Sequence, residues 1–223
     1  MRHHRPEGFR IGDSPPRVED QRFVTGQGRF GDDINAPGQL YAAFTLSQIP
    51  AGAIKTVGVE AARATPGVVA VYTGNDIGDD LGPIPSLACR NIPLMRPDGT
   101  RYKEPPRHAL AKDRVRFVGE PVAMVLAETP QAARDGAEAV DVEIEEAPFV
   151  LDVEAAGKDG APAVWPHMPD NTAFVMAVGD TAGVDAAIAA APHVAKVRVP
   201  FTRLAMSPME PRTALGAYDV LSG

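Results

Sequence analysis

The sequence predicts a mixed α/β (α+β) fold, and four observations carry that prediction. The run Val122-Ala-Met-Val-Leu-Ala127 has no polar position, so it reads as a strand buried on both faces. Directly after it, Thr129-Pro130 supplies an N-cap oxygen and a first helical residue that loses no useful N–H. Val142 and Ile144 then alternate with Glu143 and Glu145, so 121–146 reads as a β–α–β unit. Finally, the 223 residues include 22 prolines and 21 glycines, against usual shares near ~5% and ~7%. That favours short elements and many turns over a helical bundle.

In chain order, residues 1–20 hold charges and prolines and are expected to form a surface arm. Leu40 to Leu46, LYAAFTL, reads as a buried strand ended by Ser47 and Pro50. Ile54, Val57 and Val59 give a second strand, and Glu60 to Ala64 one short helical turn before Pro66-Gly67. Val68 to Tyr72, VVAVY, is β-branched and is expected at the centre of a sheet. Residues 78–108 are a long proline- and glycine-rich connection, of the kind that is functional or covered by a partner. Val115–Val118 reads as a further strand. In the helix after Pro130, Ala133, Ala137 and Val140 share one face, and Arg134, Asp135 and Glu138 the other. Asp180 or Thr181 caps a helix ended by Pro192, and strands are expected at Val197–Phe201 and Ala214–Val220. A last strand without a following partner is expected to recruit another chain or to fray.

Composition narrows the function. The net charge is −7 and no Lys/Arg block occurs, which argues against nucleic acid and anionic membranes as partners. No apolar run reaches the ~18–20 residues of a membrane span, and Met1 to Gly8 does not read as a signal peptide. Cys89 is the single cysteine, so no internal disulfide or thiolate cluster is available, and a reducing cytoplasm is expected.

The chemistry-bearing motifs are weak one by one. Gly26-Gln-Gly28-Arg-Phe-Gly31 matches the dinucleotide-binding glycine pattern, but Asp32-Asp33-Ile-Asn-Ala-Pro37 follows in place of the required helix. A glycine turn is therefore expected, with one of Asp32 and Asp33 capping it and the other solvated. His3, His4, His108, His167 and His193 show no metal-ligand spacing, and Cys89 has no evident base partner. Glu120, between Gly119 and Pro121, is either a half-buried base or an acceptor for backbone N–H groups at a strand break, and the second reading is favoured. Glu210 in Met209-Glu-Pro-Arg212 suggests an ion pair with Arg212 or a domain contact. No catalytic, cofactor-binding or metal residue is assigned. The interface or structural candidates are Arg29, Phe30, Asp32, Asp33, Gly119, Glu120, Glu210 and Arg212.

Four stretches together carry a resemblance: Ile11–Asp20 with Thr25–Ile34; Ala64–Ile77; Arg116-Phe-Val-Gly119-Glu120-Pro121-Val-Ala; and Met209-Glu210-Pro211-Arg212. In this order and combination they resemble the N-terminal part of the large, molybdopterin-binding subunit of molybdenum hydroxylases. That family includes xanthine dehydrogenase, aldehyde oxidase and aerobic carbon monoxide dehydrogenase. The resemblance implies an N-terminal arm over 1–20, an α/β-hammerhead domain over 21–150, and over 151–223 the truncated start of a molybdopterin-binding domain. It implies a parent oxidoreductase that uses molybdopterin or molybdopterin cytosine dinucleotide, with [2Fe-2S] clusters and FAD on other subunits or domains. The family's pterin-binding glycine loops and its base glutamate have no counterpart in this sequence. The chain is accordingly expected to hold no cofactor and to be inactive alone, a scaffold for the remainder of the large subunit and for iron–sulfur and flavin subunits. Self-association of the isolated chain is expected too. The alternative is a stand-alone hammerhead module that binds a partner protein or small ligand.

Overall fold

The computed structural model describes residues 12, 14, 17–77, 81–85, 94–102, 104–176, 178–201 and 206–221. Cys89, His3, His4 and most of the expected N-terminal arm lie outside the described residues. The chain divides into two compact units, one of residues 39–196 and one of residues 1–38 with 197–223.

The larger unit holds two antiparallel three-stranded sheets. Its elements are β1 (Tyr41–Leu46), β2 (Gly52–Gly58), α2 (Glu60–Ala64), β3 (Val68–Thr73), α3 (Gly74–Ile77), β4 (Arg114–Val115), β5 (Pro121–Ala127), α4 (Pro130–Glu138), β6 (Asp141–Glu146), α5 (Val153–Ala156) and α6 (Thr181–Ala190). The first sheet has the order β1-β5-β3 and the second β4-β2-β6. So β5 and β6, joined through α4, fall in different sheets, and 121–146 is a strand–helix–strand connection between sheets rather than a crossover within one. β3 lies at a sheet edge, not at the centre; the central strand is β5.

The helix α4 forms where the sequence placed it. Thr129 Oγ1 accepts a hydrogen bond from the Ala132 N–H at 3.1 Å, and Pro130 opens the first turn. Its small-residue face, Ala133, Gly136 and Ala137, is buried against the first sheet. There it meets Val71, Ala123 and Val125, with Val59, Ala62 and Val140 completing the cluster. Thr45 Oγ1 donates to the Ala137 carbonyl at 2.7 Å, tying β1 to the last turn of α4. A second cluster of Ala111, Val115 and Val122 lies under the second sheet, and Val57 and Val142 touch both clusters. Val115, Val122 and Val125 are fully buried, each contributing about 1.5–3 kcal/mol of hydrophobic stabilisation.

Among the described residues, no helix covers the opposite face of the first sheet. In the register, Phe44 and Tyr72 flank Met124, and Ala42 and Ala70 flank Leu126. On that face Val122 is fully buried in the second cluster while Met124 and Leu126 are only partly buried, so β5 is sealed on one face throughout and on the other only at its start, where the sequence predicts both.

Three expected strands are shorter or missing. Only Arg114–Val115 pairs in the expected Val115–Val118 strand, because Phe117 to Glu120 turns back, with Glu120 N–H donating to the Phe117 carbonyl. Residues 197–201 and 214–220 form no strand. Alternation alone gave those two predictions, and each lacks the neighbouring strand that its ladder of hydrogen bonds requires. The argument for recruitment through an unpaired edge at 214–220 loses its strand with them. The α6 helix does form, with Asp180 Oδ1 accepting from the Gly183 N–H at 2.9 Å, but none of its residues is buried.

The smaller unit contains α1 (Asp20–Val24) and a 3-10 turn over Gly31–Asp33. Phe23 and Phe30 stack with ring centroids 5.8 Å apart.

Gly136 sets the approach of α4. A Cβ there would lie 2.7 Å from Val68 Cγ2 and 2.9 Å from Val125 Cγ1, both on stiff β-branched side chains. Alanine would raise helix propensity by about 1 kcal/mol, yet overpacking costs about 1–3 kcal/mol. Gly136→Ala is therefore expected to lower the urea midpoint, and a raised midpoint would show that the helix can back away freely.

Candidate functional site

The sequence-predicted residues gather at two places, one in each unit. In the larger unit the place is the turn between β4 and β5. Gly119 has φ +89°, a left-handed conformation that favours glycine. That turn lets Gly119 N–H donate to the Ser47 carbonyl at 2.7 Å while Ser47 N–H donates to the Glu120 carbonyl at 2.9 Å. Ser47 is buried, and its hydroxyl donates to the Ile49 carbonyl at 2.8 Å. Glu120 reaches back, and its Oε2 accepts the Arg116 N–H at 2.5 Å. The carboxylate thus occupies itself with a backbone donor at a strand break, the second of the two readings open in the sequence.

Around this turn lies a cavity of about 720 Å³ whose walls include Tyr102, His108, Arg116, Phe117, Glu120 and Trp165. The Arg116 guanidinium carbon sits 3.8 Å from the centre of the Trp165 ring, a cation–π stack. Burial pushes the Glu120 carboxyl above the usual carboxylate range, against the opposing pull of the Arg116 N–H and guanidinium. Burial likewise pushes Arg116 down, with Glu120 and Asp113 pulling the other way. Arg116 Nε and His108 Nδ1 are buried without a hydrogen-bond partner. The cavity's charged groups balance: Arg107, Lys112 and Arg116 face Glu104, Asp113 and Glu120. A half-buried acid, a stacked guanidinium and aromatic walls are suited to holding a polar, planar group. Among the described residues no group of three or more His, Cys, Asp or Glu is placed to hold a metal ion.

Sequence reasoning missed Arg116, His108 and Trp165 as neighbours. The signal was faint: a single tryptophan next to Pro166, remote from Arg116 in sequence. The same region pins the described part of the 78–108 connection. Arg96 pairs with Asp170 at 3.1 Å, Met95 bridges Val175, and Tyr102 packs on Phe174 with ring centroids 5.9 Å apart.

In the smaller unit, Glu210 Oε1 accepts the Gly31 N–H at 3.1 Å, and the Phe30 N–H donates to Asp33 Oδ2 at 2.9 Å. A Cβ at Gly31 would overlap Thr213 Oγ1. So the Gly31–Asp33 turn and the 209–213 segment fit together only because residue 31 has no side chain. Asp33 caps this turn. Arg29, Asp32 and Arg212 are exposed, and the expected Glu210–Arg212 ion pair is not among those of the described residues.

Comparison with known proteins agrees with this architecture. Residues 25–148 match the family model described as aldehyde oxidase and xanthine dehydrogenase, a/b hammerhead domain. The nicotine 6-hydroxylase large subunit of Paenarthrobacter nicotinovorans is 36% identical over 94% of this chain and 24% of its own length. The carbon monoxide dehydrogenase large chain of Hydrogenophaga pseudoflava is 32% identical over 92% of this chain and 25% of its own. Among solved structures, the aldehyde oxidoreductase of Desulfovibrio gigas superposes with a TM-score of 0.63 at 27% identity, covering 80% of this chain and 19% of that one. A Cu,Mo-CO dehydrogenase superposes with a TM-score of 0.61 at 29% identity, over 82% of this chain and 23% of that one. The chain belongs to the aldehyde oxidase and xanthine dehydrogenase family of molybdenum hydroxylases, and it corresponds to part of their large subunit. It spans about a quarter of the length of the curated relatives named here.

Two outcomes follow at these places. For Glu120 the native carboxyl binds its proton more tightly than the unfolded one, whose ordinary value is 4.5. The native state therefore loses stability as pH rises from that value through the raised native one. Glu120→Gln keeps an acceptor for the Arg116 N–H and removes the charge. Its stability relative to the wild type is expected to improve from pH 4 to pH 7 in urea titrations, and a pH-independent difference would contradict the burial argument. For the smaller unit, Gly31→Ala is expected to speed amide exchange across both 20–33 and 206–221 and to leave β5 unchanged. Unaltered exchange in both segments would show that Gly31 is not needed there.

Proposed function

We propose that this chain is the N-terminal frame of a molybdenum hydroxylase large subunit, built to be completed by the rest of that subunit and inactive without it. The observation that supports this most directly is exposed apolar structure with no counterpart to bury it. The α6 helix has an almost wholly apolar sequence yet no buried residue, and Val184 and Ile188 are more than half exposed. A helix apolar on all sides is made to be surrounded. The alternative, a free-standing interaction module, calls for an outer surface that is polar apart from one binding patch, and this surface is not.

On this proposal the arm covers 1–20, the hammerhead 21–150, and 151–223 opens the molybdopterin-binding domain. That residues 39–196 cluster as one compact unit supports a second region that begins packed on the hammerhead. Molybdopterin or its cytosine dinucleotide binds to the remainder of the subunit and supplies the redox chemistry, while iron–sulfur and flavin subunits carry electrons away. The residues of this chain act by holding shape: the Gly119–Glu120 turn fixes the β4–β5 corner, and Glu210 holds the Gly31–Asp33 turn. We place the protein in the cytoplasm. Among the described residues no helix is long and apolar enough to cross a membrane.

The test is a chimera in which this chain replaces the matching quarter of the carbon monoxide dehydrogenase large chain of H. pseudoflava. Soluble chimera that takes up molybdenum to at least half the content of the unaltered large chain is expected. Insoluble or molybdenum-free chimera overturns the proposal. The isolated chain is expected to self-associate through its exposed apolar faces. Sedimentation showing a strict monomer at high concentration would contradict that.

A further inference from the structure

The open face of the first sheet is the surface most sharply shaped for an occupant. It consists of two cross-strand rows. Phe44, Met124 and Tyr72 form one, and Ala42, Leu126 and Ala70 the other. None of the six carries a charge. Phe44 is 47% and Tyr72 36% exposed, so the aromatic row stands up beside a low row whose outer positions are both alanine. Three strands at about 4.8 Å spacing make a face about 10 Å wide, the diameter of one α-helix with its side chains. The opposite face of the same sheet is covered by α4 together with Ala62 of the short helix α2.

We infer that this face seats one amphipathic helix from the part of the large subunit that lies beyond this chain, its apolar stripe on the alanine-flanked row and bounded by Phe44 and Tyr72. The inference rests on the frame reading above and names the surface through which the frame is completed. Relatives four times as long as the matched region hold ample polypeptide to supply that helix. An uncharged seat offers no salt bridge, so the occupant must bring an apolar face, and a one-helix width excludes a second sheet laid flat across it. Within this chain, α6 is the only described helix outside the two cores with large apolar side chains four apart, Val184 and Ile188, and it is exposed rather than seated.

The experiment uses the full-length chimera with carbon monoxide dehydrogenase. A photo-crosslinking residue, p-benzoylphenylalanine, replaces Tyr72, and the products are mapped by mass spectrometry. Crosslinks are expected to fall within one helical segment beyond the replaced quarter, recurring at spacings of three and four residues. Crosslinks to α6, to a second copy, to the iron–sulfur or flavin subunit, or none at all, overturn the inference. In parallel, Phe44→Ser with Tyr72→Ser is placed in both the chimera and the isolated chain. The isolated chain is expected to lose only part of its urea midpoint and to stay soluble, because Phe44 and Tyr72 are 47% and 36% exposed there, while the soluble yield of the chimera falls at least fivefold. Equal yields of variant and unaltered chimera overturn the docking surface and leave the frame reading standing. Failure of the unaltered chimera overturns both.

Discussion

The close seating of α4 on β5 is the contact on which the larger unit depends. Among the described strands of the first sheet, β5 is the one with a neighbour on each side, and its inward side chains are small or β-branched: Ala123, Val125 and Ala127. Against them α4 presents Ala133, Gly136 and Ala137. With no Cβ at residue 136, helix and sheet come near enough for Val68 and Val125 to fill the gap between them. Dispersion rewards that closeness and falls away steeply when it is lost.

The rest of the unit follows from where this contact sends the chain. Because α4 lies across the first sheet, β6 emerges beside β2 rather than beside β5, and a second sheet must form. Val57 and Val142 touch both clusters, so the two sheets share a core although they share no strand. The corner between β4 and β5 then has to be tight. Gly119 provides the turn, Ser47 receives it, and Glu120 holds its start, which explains why a carboxylate lies at the edge of a core at all. A half-buried acid is tolerated there because a backbone N–H and a guanidinium face it.

Much of this was legible in the residues. Thr129-Pro130 and the alanine stripe announced α4, and the uninterrupted VAMVLA run announced β5. The resemblance pointed to the right family from the turn at Gly31, the Gly119-Glu120-Pro121 corner and Met209-Glu-Pro-Arg. What sequence could not show were properties set by distant neighbours. VVAVY has the composition of a central strand but lies at an edge, since nothing local records how many strands pair with it. The alternation at 197–201 and 214–220 predicted strands that need ladder partners, and none forms there. The Arg116–Trp165 stack joins residues too far apart in sequence for any spacing rule to connect them. The Met209-Glu-Pro-Arg212 run suggests Arg212 as the partner of Glu210, but the carboxylate accepts a backbone N–H at Gly31 instead.

The central claim is that a rigid β5–α4 core carries outlying segments that wait for the rest of a larger subunit. Native-state hydrogen exchange of the isolated chain tests it most directly. The account predicts that the amides of Val122 to Ala127 exchange only through global unfolding, whereas those of α6 and residues 206–221 open locally and exchange at least a hundredfold faster. Protection of α6 and 206–221 equal to that of β5 in a monomeric chain would contradict it, since those segments would then be packed without any partner.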